Sequence, residues 1–218
     1  MTSKTYHQHC ALAHALDLIG DRWTLLIVRD LLAGPRRYSD LAAGLVTIPT
    51  NLLSTRLTEM QSDGLIQRRR LAPPADSVTV YELTALGEGL ARPLVELARW
   101  GMRTLPPTRE DRSFRGHWLV LAMDARFDVR AAVGVTESYE FRIDSEVVHF
   151  DVVEGVGTAG TGPATDPAVV ITSDADTFLE LDAGMITPID AITRGATIQG
   201  DPAAIHRMRT IVGRIPTL

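Results

Sequence analysis

The chain carries one cysteine, Cys10, in 218 residues, so no disulfide can form within it and the composition fits a reducing compartment. No stretch approaches the roughly 18 apolar residues of a membrane span. The polar, His-rich start from Met1 to Cys10 lacks the basic-then-apolar pattern of a secretory leader. These absences predict a cytoplasmic protein with no membrane partner. No Ser/His/Asp or Cys/His arrangement can be assigned from spacing, so the chain is not expected to be an enzyme. Positive charge is also short, with a net charge of −5. That total hides an asymmetry. Residues 1–105 hold 12 Lys and Arg against 10 Asp and Glu, and residues 106–218 hold 10 against 17. Two halves of opposite sign suggest two domains facing different partners.

Paired prolines followed by charges, Pro106 to Arg112, read as a linker between a domain at 1–105 and another at 113–218. In the first, Leu12, Ala15, Leu16 and Ile19 have helical spacing over Ala11 to Ile19, and Gly20 ends that helix. Asp21 is placed to cap the next helix, Arg22 to Ala33, which buries Trp23, Leu26, Ile27 and Leu31. A short helix follows at Tyr38 to Ala43, capped around Ser39, and then a helix from Thr50 to Asp63, ended by Gly64. Leu65 to Arg70 and Ser77 to Leu83 read as paired strands joined by Leu71 to Asp76. Thr84 starts a long helix reaching Leu105, with a kink expected at Pro93.

Short helix, turn, second helix and basic hairpin, in that order, are the parts of a winged helix-turn-helix. On the second helix, Leu53, Leu57 and Met60 share one face. The other side carries Asn51, Ser54, Thr55 and Thr58 beside Arg56, with Thr50 at its start. Short polar side chains of this kind can hydrogen-bond base edges in a major groove. Arg68, Arg69 and Arg70 alternate faces on the first strand, so some guanidinium groups must face outward and suit phosphates. Arg36, Arg37 and Ser39 are candidates for the backbone on the other side. Each signal alone is also that of a solvated surface; their order is what carries weight.

Residues 10 to 103 resemble the HxlR family of bacterial regulators. The matching segments are Leu16 to Ile27, Arg36 to Leu41, Leu53 to Leu57, Asp63 to Ile66, Tyr81 to Gly87 and Trp100-Gly101. The resemblance implies double-stranded DNA as partner and a homodimer assembled through the first helix and the long helix after the wing. One departure is Pro49-Thr50, where many members have Ser-Pro; it moves the expected cap to Thr47 or Thr50. Some HxlR-type proteins switch through a cysteine near the position of Cys10, which makes it a redox candidate. The alternative is a quiet thiol against the dimer helix.

Beyond residue 113, Trp118 to Met123, Ser138 to Ile143, Val147 to Val153 and Ala168 to Thr172 read as strands, and Gly155 to Pro167 as a loop. Asp174 to Ala183 and Pro202 to Val212 read as helices, the first opening on the carboxylates Asp174 and Asp176. The segments Ala168 to Thr172, Phe178 to Leu181, Ile189 to Ile192 and Ile198 to Ile205 resemble the sterol-carrier-protein fold, an α+β domain around an apolar cavity. That resemblance implies a small apolar ligand, with Phe178, Leu181, Met185, Ile186 and Ile189 as candidate lining; the same residues also suit an ordinary core.

Gly155 to Gly160 matches a dinucleotide fingerprint as a string, but Thr161-Gly162-Pro163 follows in place of a helix, so no cofactor is expected. His7, His9, Cys10 and His14 match no standard metal spacing, and no metal site is expected. The fold class is therefore α+β, a winged helix-turn-helix followed by a sterol-carrier-like domain. The expected function is transcription regulation. The rival is a small-molecule carrier whose helical half serves association.

Overall fold

Apolar spacing and a glycine stop produce the first helix where expected: α1 spans Ala11–Ile19 and ends at Gly20. The computed structural model describes residues 5–71, 78–106 and 113–213. It divides the chain into two compact units, Met1–Leu94 and Val95–Leu218. The expected linker beyond Pro106 and the hairpin loop from Ala72 through Ser77 lie outside the described residues.

In the first unit, α2 spans Thr24–Leu32, two residues later than expected. Asp21 does not cap it. Trp23 takes the N-cap position with φ 82°, a left-handed backbone costing about 1–3 kcal/mol for a bulky residue, and the Arg22 guanidinium lies 5.2 Å from its ring centre. Ile27, Val28 and Leu31 are buried, while Leu26 is exposed and Trp23 half-buried.

α3 spans Tyr38–Gly44. Its cap residue is Arg37, whose N–H donates to Asp40 Oδ2 at 3.0 Å, so Ser39 is inside the helix and not its cap. α4 spans Thr50–Ser62, with Pro49 at the N-cap and no side-chain cap, so neither Thr47 nor Thr50 plays that part. β1 (Ile66–Arg70) and β2 (Thr79–Leu83) pair antiparallel, Arg68 opposite Tyr81. Arg36 adds a third short edge through N–H···O bonds of 2.9 and 2.7 Å with Tyr81.

The expected long helix is two. α5 covers Ala85–Glu88 and α6 covers Ala91–Met102. The break falls at Gly89-Leu90, so Pro93 sits in the first turn of α6, where a missing N–H costs no helix bond and no kink is needed. A Cβ at Gly87 would overlap the Leu65 carbonyl oxygen; only glycine lets α5 approach the hairpin this closely.

The second unit is a five-stranded sheet in the order β5-β4-β3-β6-β7. Its strands are β3 (Glu137–Ile143), β4 (Glu146–Val153), β5 (Val156–Thr161), β6 (Val169–Ser173) and β7 (Thr197–Gly200). Only β3 and β6 pair in parallel. Tyr139, Phe141, Ile143, Val148, Phe150, Val169 and Ile171 are buried along one face. On the other face Glu140, also buried, accepts from Arg142 Nε at 2.6 Å and from the Ala164 N–H at 2.7 Å. Around the sheet lie α8 (Ala175–Asp182), α9 (Pro188–Thr193) and α10 (Pro202–Ile211). Asp174 caps α8 by accepting the Thr177 N–H at 2.8 Å.

Two expectations in this unit fail. Trp118 to Met123 is helical: a 3-10 turn at Gly116–Trp118 leads into α7, Leu119–Arg126. Leu119, Val120 and Met123 are buried at helical spacing, and an apolar run this short does not distinguish helix from strand. Gly155 to Pro167, read as loop, contains edge strand β5. Its glycines are packing sites. A Cβ at Gly157 would sit 2.5 Å from Phe150 and 2.8 Å from Phe127, and the centres of these two tilted rings lie 5.4 Å apart. β6, not a helix, is the next element after β5.

Burial pushes the Asp124 carboxyl on α7 from an ordinary 3.8 up to about 6, partly offset by the Ala159 N–H of β5. The folded state thus holds this proton more tightly than the unfolded chain. Its stabilising contribution is full below the unfolded value and is lost as pH rises through the folded one. Urea unfolding at pH 4 and 7 should show Asp124→Asn gaining stability relative to wild type at the higher pH. Parallel pH profiles would refute that assignment.

Candidate nucleic-acid interface

The buried face of α4 is Leu53, Leu57 and Met60, each at most 1% exposed. It packs in the unit whose α2 and α3 bury Ile27, Val28, Leu31 and Leu41. A Cβ at Gly44 would stand 2.8 Å from Asp30 Oδ2, a close approach of α3 to α2. Asp30 is itself buried and pairs with Arg29 at 2.8 Å. The start of α3 is tied to the start of α4 by Tyr38, whose hydroxyl donates to Thr50 O at 3.0 Å and lies 3.2 Å from Ser54 Oγ.

Asn51, Ser54, Thr55 and Thr58 are exposed on the opposite side, with Thr50 at the helix start. The three hydroxyls of Ser54, Thr55 and Thr58 donate back to the carbonyls of Thr50, Asn51 and Ser54, at 3.1, 3.0 and 3.0 Å. Their protons are used inside the helix, which leaves oxygen lone pairs outward.

Arg56 does not join this face. Its side chain is 10% exposed and its Nη1 lies 2.6 Å from Asp21 Oδ2 and 2.7 Å from Glu59 Oε2. The expected DNA contact is an internal clamp between α4 and the turn after α1. A position between Thr55 and Leu57 on a helical wheel belongs at the edge of the buried stripe, a border that periodicity alone does not resolve.

The wing arginines separate into two kinds. Arg69 donates from Nε to Glu82 Oε2 at 2.7 Å, and Gln67 donates to Glu82 Oε1 at 3.0 Å. The Arg69 guanidinium holds the Glu82 carboxyl below the usual carboxylate range. Arg68 lies 5.5 Å from the Tyr81 ring centre, and neither Arg68 nor Arg70 has a carboxylate partner among the described residues. Arg37 and Ser39 are exposed, with Ser39 Oγ donating to Asp40 at 3.3 Å; Arg36 is half-buried. Spacing did not single out Tyr38 or Glu82. Glu82 was findable in principle, since its place on β2 lies diagonally across from Arg69 once the hairpin register is known.

The remaining candidates scatter. Cys10 is exposed at the N-cap of α1, where the N–H groups of Ala13 and Leu12 lower its thiol pKa. Among the described residues no group of three His, Cys, Asp or Glu could hold a metal ion. Of the candidate apolar lining, Phe178 is buried against Phe114 and Phe141. Leu181 and Ile186 are half-buried, whereas Met185 and Ile189 are 55% and 76% exposed. The structure does not gather these five into one cavity wall, because α9 turns Ile189 to the surface.

Helix-turn-helix with a basic hairpin beside it is the architecture of a winged helix-turn-helix regulator. The HxlR-like helix-turn-helix family matches residues 18–109. An HTH-type transcriptional regulator of Bacillus subtilis (strain 168), YvaP, is 34% identical over 94 residues, covering 43% of this chain and 86% of that protein. Rv3095, an HTH-type transcriptional regulator of Mycobacterium tuberculosis, is 38% identical over 96 residues, 44% of this chain and 60% of that one. The reduced form of the transcriptional regulator YodB from B. subtilis aligns with a TM-score of 0.39 and 28% identity, over 47% of this chain and 100% of that chain. The chain belongs to the HxlR-like helix-turn-helix family of transcriptional regulators. Among the described residues no helix is long and apolar enough to cross a membrane.

Removing Arg56 leaves Asp21 and Glu59 facing each other without their cation. Arg56→Ala should lower the unfolding free energy by about 1–3 kcal/mol, less than a fully buried pair because both carboxylates are partly exposed. Arg68→Ala should stay within about 0.5 kcal/mol of wild type. Urea denaturation of both variants tests the contrast, and equal losses would contradict the clamp.

Proposed function

We propose that this chain is a homodimeric, cytoplasmic regulator that reads duplex DNA by laying α4 in the major groove and the wing along the phosphates. The observation that carries this reading is the exposed row of Asn51, Ser54, Thr55 and Thr58, flanked by Thr50 and by Arg68 and Arg70, which have no carboxylate partner among the described residues. Asn51 offers adenine both a donor and an acceptor. The outward hydroxyl lone pairs accept from the amino groups of adenine or cytosine. Arg36, Arg37 and Ser39 are the further backbone contacts, and Arg69 joins them when Glu82 releases it.

Support for the dimer is the apolar surface left open on both helices that the family resemblance points to. Leu12 and Leu16 of α1 are 68% and 40% exposed, and Leu97 and Trp100 of α6 are 49% and 65% exposed. Cys10, exposed and with its thiol pKa lowered, fits an oxidant-sensing role at the start of α1. The second unit is read as sterol-carrier-like, with a small apolar ligand as effector. Its support is the sheet-and-helix make-up and the aromatic group around Phe178; Met185 and Ile189 fall outside that role.

Binding to the protein's own upstream DNA, with unrelated competitor across a salt series, tests the reading. Specific complexes should persist against competitor. Arg68→Ala or Arg70→Ala should weaken binding to every duplex and reduce the salt slope by about one. Asn51→Ala should instead change the preference among sequences. Loss of all binding at moderate salt by a folded dimer would favour the carrier alternative.

A further inference from the structure

At the base of the wing, the end of α2 and the hairpin enclose a groove of about 440 Å³. Leu31, Leu32, Pro35 and Leu83 are its aliphatic lining. Its polar groups are Gln67, Glu82 and Glu88, and no basic residue lines it among the described residues. A predominantly polar groove that sets two carboxylates and an amide beside four aliphatic residues, with no lining cation, is complementary to a small organic cation: an ammonium or amidinium group carrying a small hydrocarbon body.

Glu82 also faces a second task. The carboxylate that lines the groove is the one that holds Arg69, with Gln67 on its other oxygen. A cation bound from the groove side would compete with the Arg69 guanidinium for Glu82 Oε2, the oxygen that Arg69 holds. We propose that this groove is an effector site for a small amphipathic cation, and that occupancy releases Arg69 from Glu82 for contact with a phosphate. The contact seen in the structure is then the restrained state of the wing, with Arg68 and Arg70 lacking a carboxylate partner among the described residues, and the occupied state adds Arg69 to them. The coupling to DNA rests on the regulator reading; the binding of the cation does not.

Benzylamine is a suitable probe, with phenylacetate as the anionic counterpart of similar size. Titration of the full chain, followed by amide chemical shifts, should show saturable binding of benzylamine at the groove and none of phenylacetate. Glu82→Gln should weaken benzylamine at least tenfold. Glu88→Gln, an exposed position, should weaken it less and guards against a folding defect in the first variant. In the DNA assay, benzylamine should steepen the salt slope by about one phosphate contact. Glu82→Gln should reproduce that steeper slope without ligand, and Arg69→Ala should abolish the response. Equal binding of amine and carboxylate, or unchanged affinity in Glu82→Gln, would overturn the site. Saturable binding with an unchanged slope would overturn the release of Arg69. Saturable, Glu82-dependent binding by a protein that binds no DNA would leave the site standing and remove the regulator reading instead.

Discussion

A buried guanidinium must be paired, and the geometry of the first unit follows from how Arg56 meets that demand. Its charge sits at 10% exposure between Asp21 and Glu59. Taking it out of water is costly, and two carboxylates at hydrogen-bond distance offset that cost. Glu59 lies on the same helix, so the pairing with Asp21 is the one that spans elements. It fixes the turn between α1 and α2, the turn in which Trp23 adopts φ 82°. Strain of this kind persists only where surrounding contacts over-determine it. With the inner side of α4 held there and Tyr38 bonded to its first turn, the polar row on its outer side has a defined direction.

Electrostatics explain how an acidic protein can carry the proposed DNA-reading surface. In the second unit many cations are matched internally: Arg126 with Asp182, Arg142 with Glu140, Arg194 with Glu180 and Arg207 with Glu137. These pairs neutralise charge where no phosphate is expected. In the first unit the pairing is selective. Arg56 and Arg69 are engaged, while Arg68 and Arg70 are left without a carboxylate among the described residues. Net charge therefore says little about the function, and the position of each guanidinium says most of it.

Much of the first unit was legible because its signals are local and redundant. Ala11 to Ile19 has period and stop, and Leu53, Leu57 and Met60 mark the inner face of α4. What failed depended on partners distant in sequence. Asp21 has the chemistry of a cap, and only the fold shows that its carboxylate is taken by Arg56, 35 residues away. Arg69 became distinct from Arg68 and Arg70 only once the hairpin register set it near Glu82. The long helix was overestimated because Leu86, Leu90, Leu94 and Leu97 keep the period across the break at Gly89. In the second unit, Trp118 to Met123 is too short for periodicity to decide. The glycines of β5 looked like a loop until Phe127 and Phe150 were found lying over Gly157. Asp174 was legible for the opposite reason, since an N-cap acts within three residues.

A double-mutant cycle between Asp21 and Arg56 measures whether their cross-element ion pair orients α4. Asp21→Asn, Arg56→Met and the double variant would be compared by urea unfolding and by affinity for one DNA site. A coupling energy of at least about 1 kcal/mol in stability is expected, with a matching non-additive loss in DNA affinity. Additive effects in both measurements would mean that Arg56 and Asp21 act independently, and that something other than their pairing orients α4.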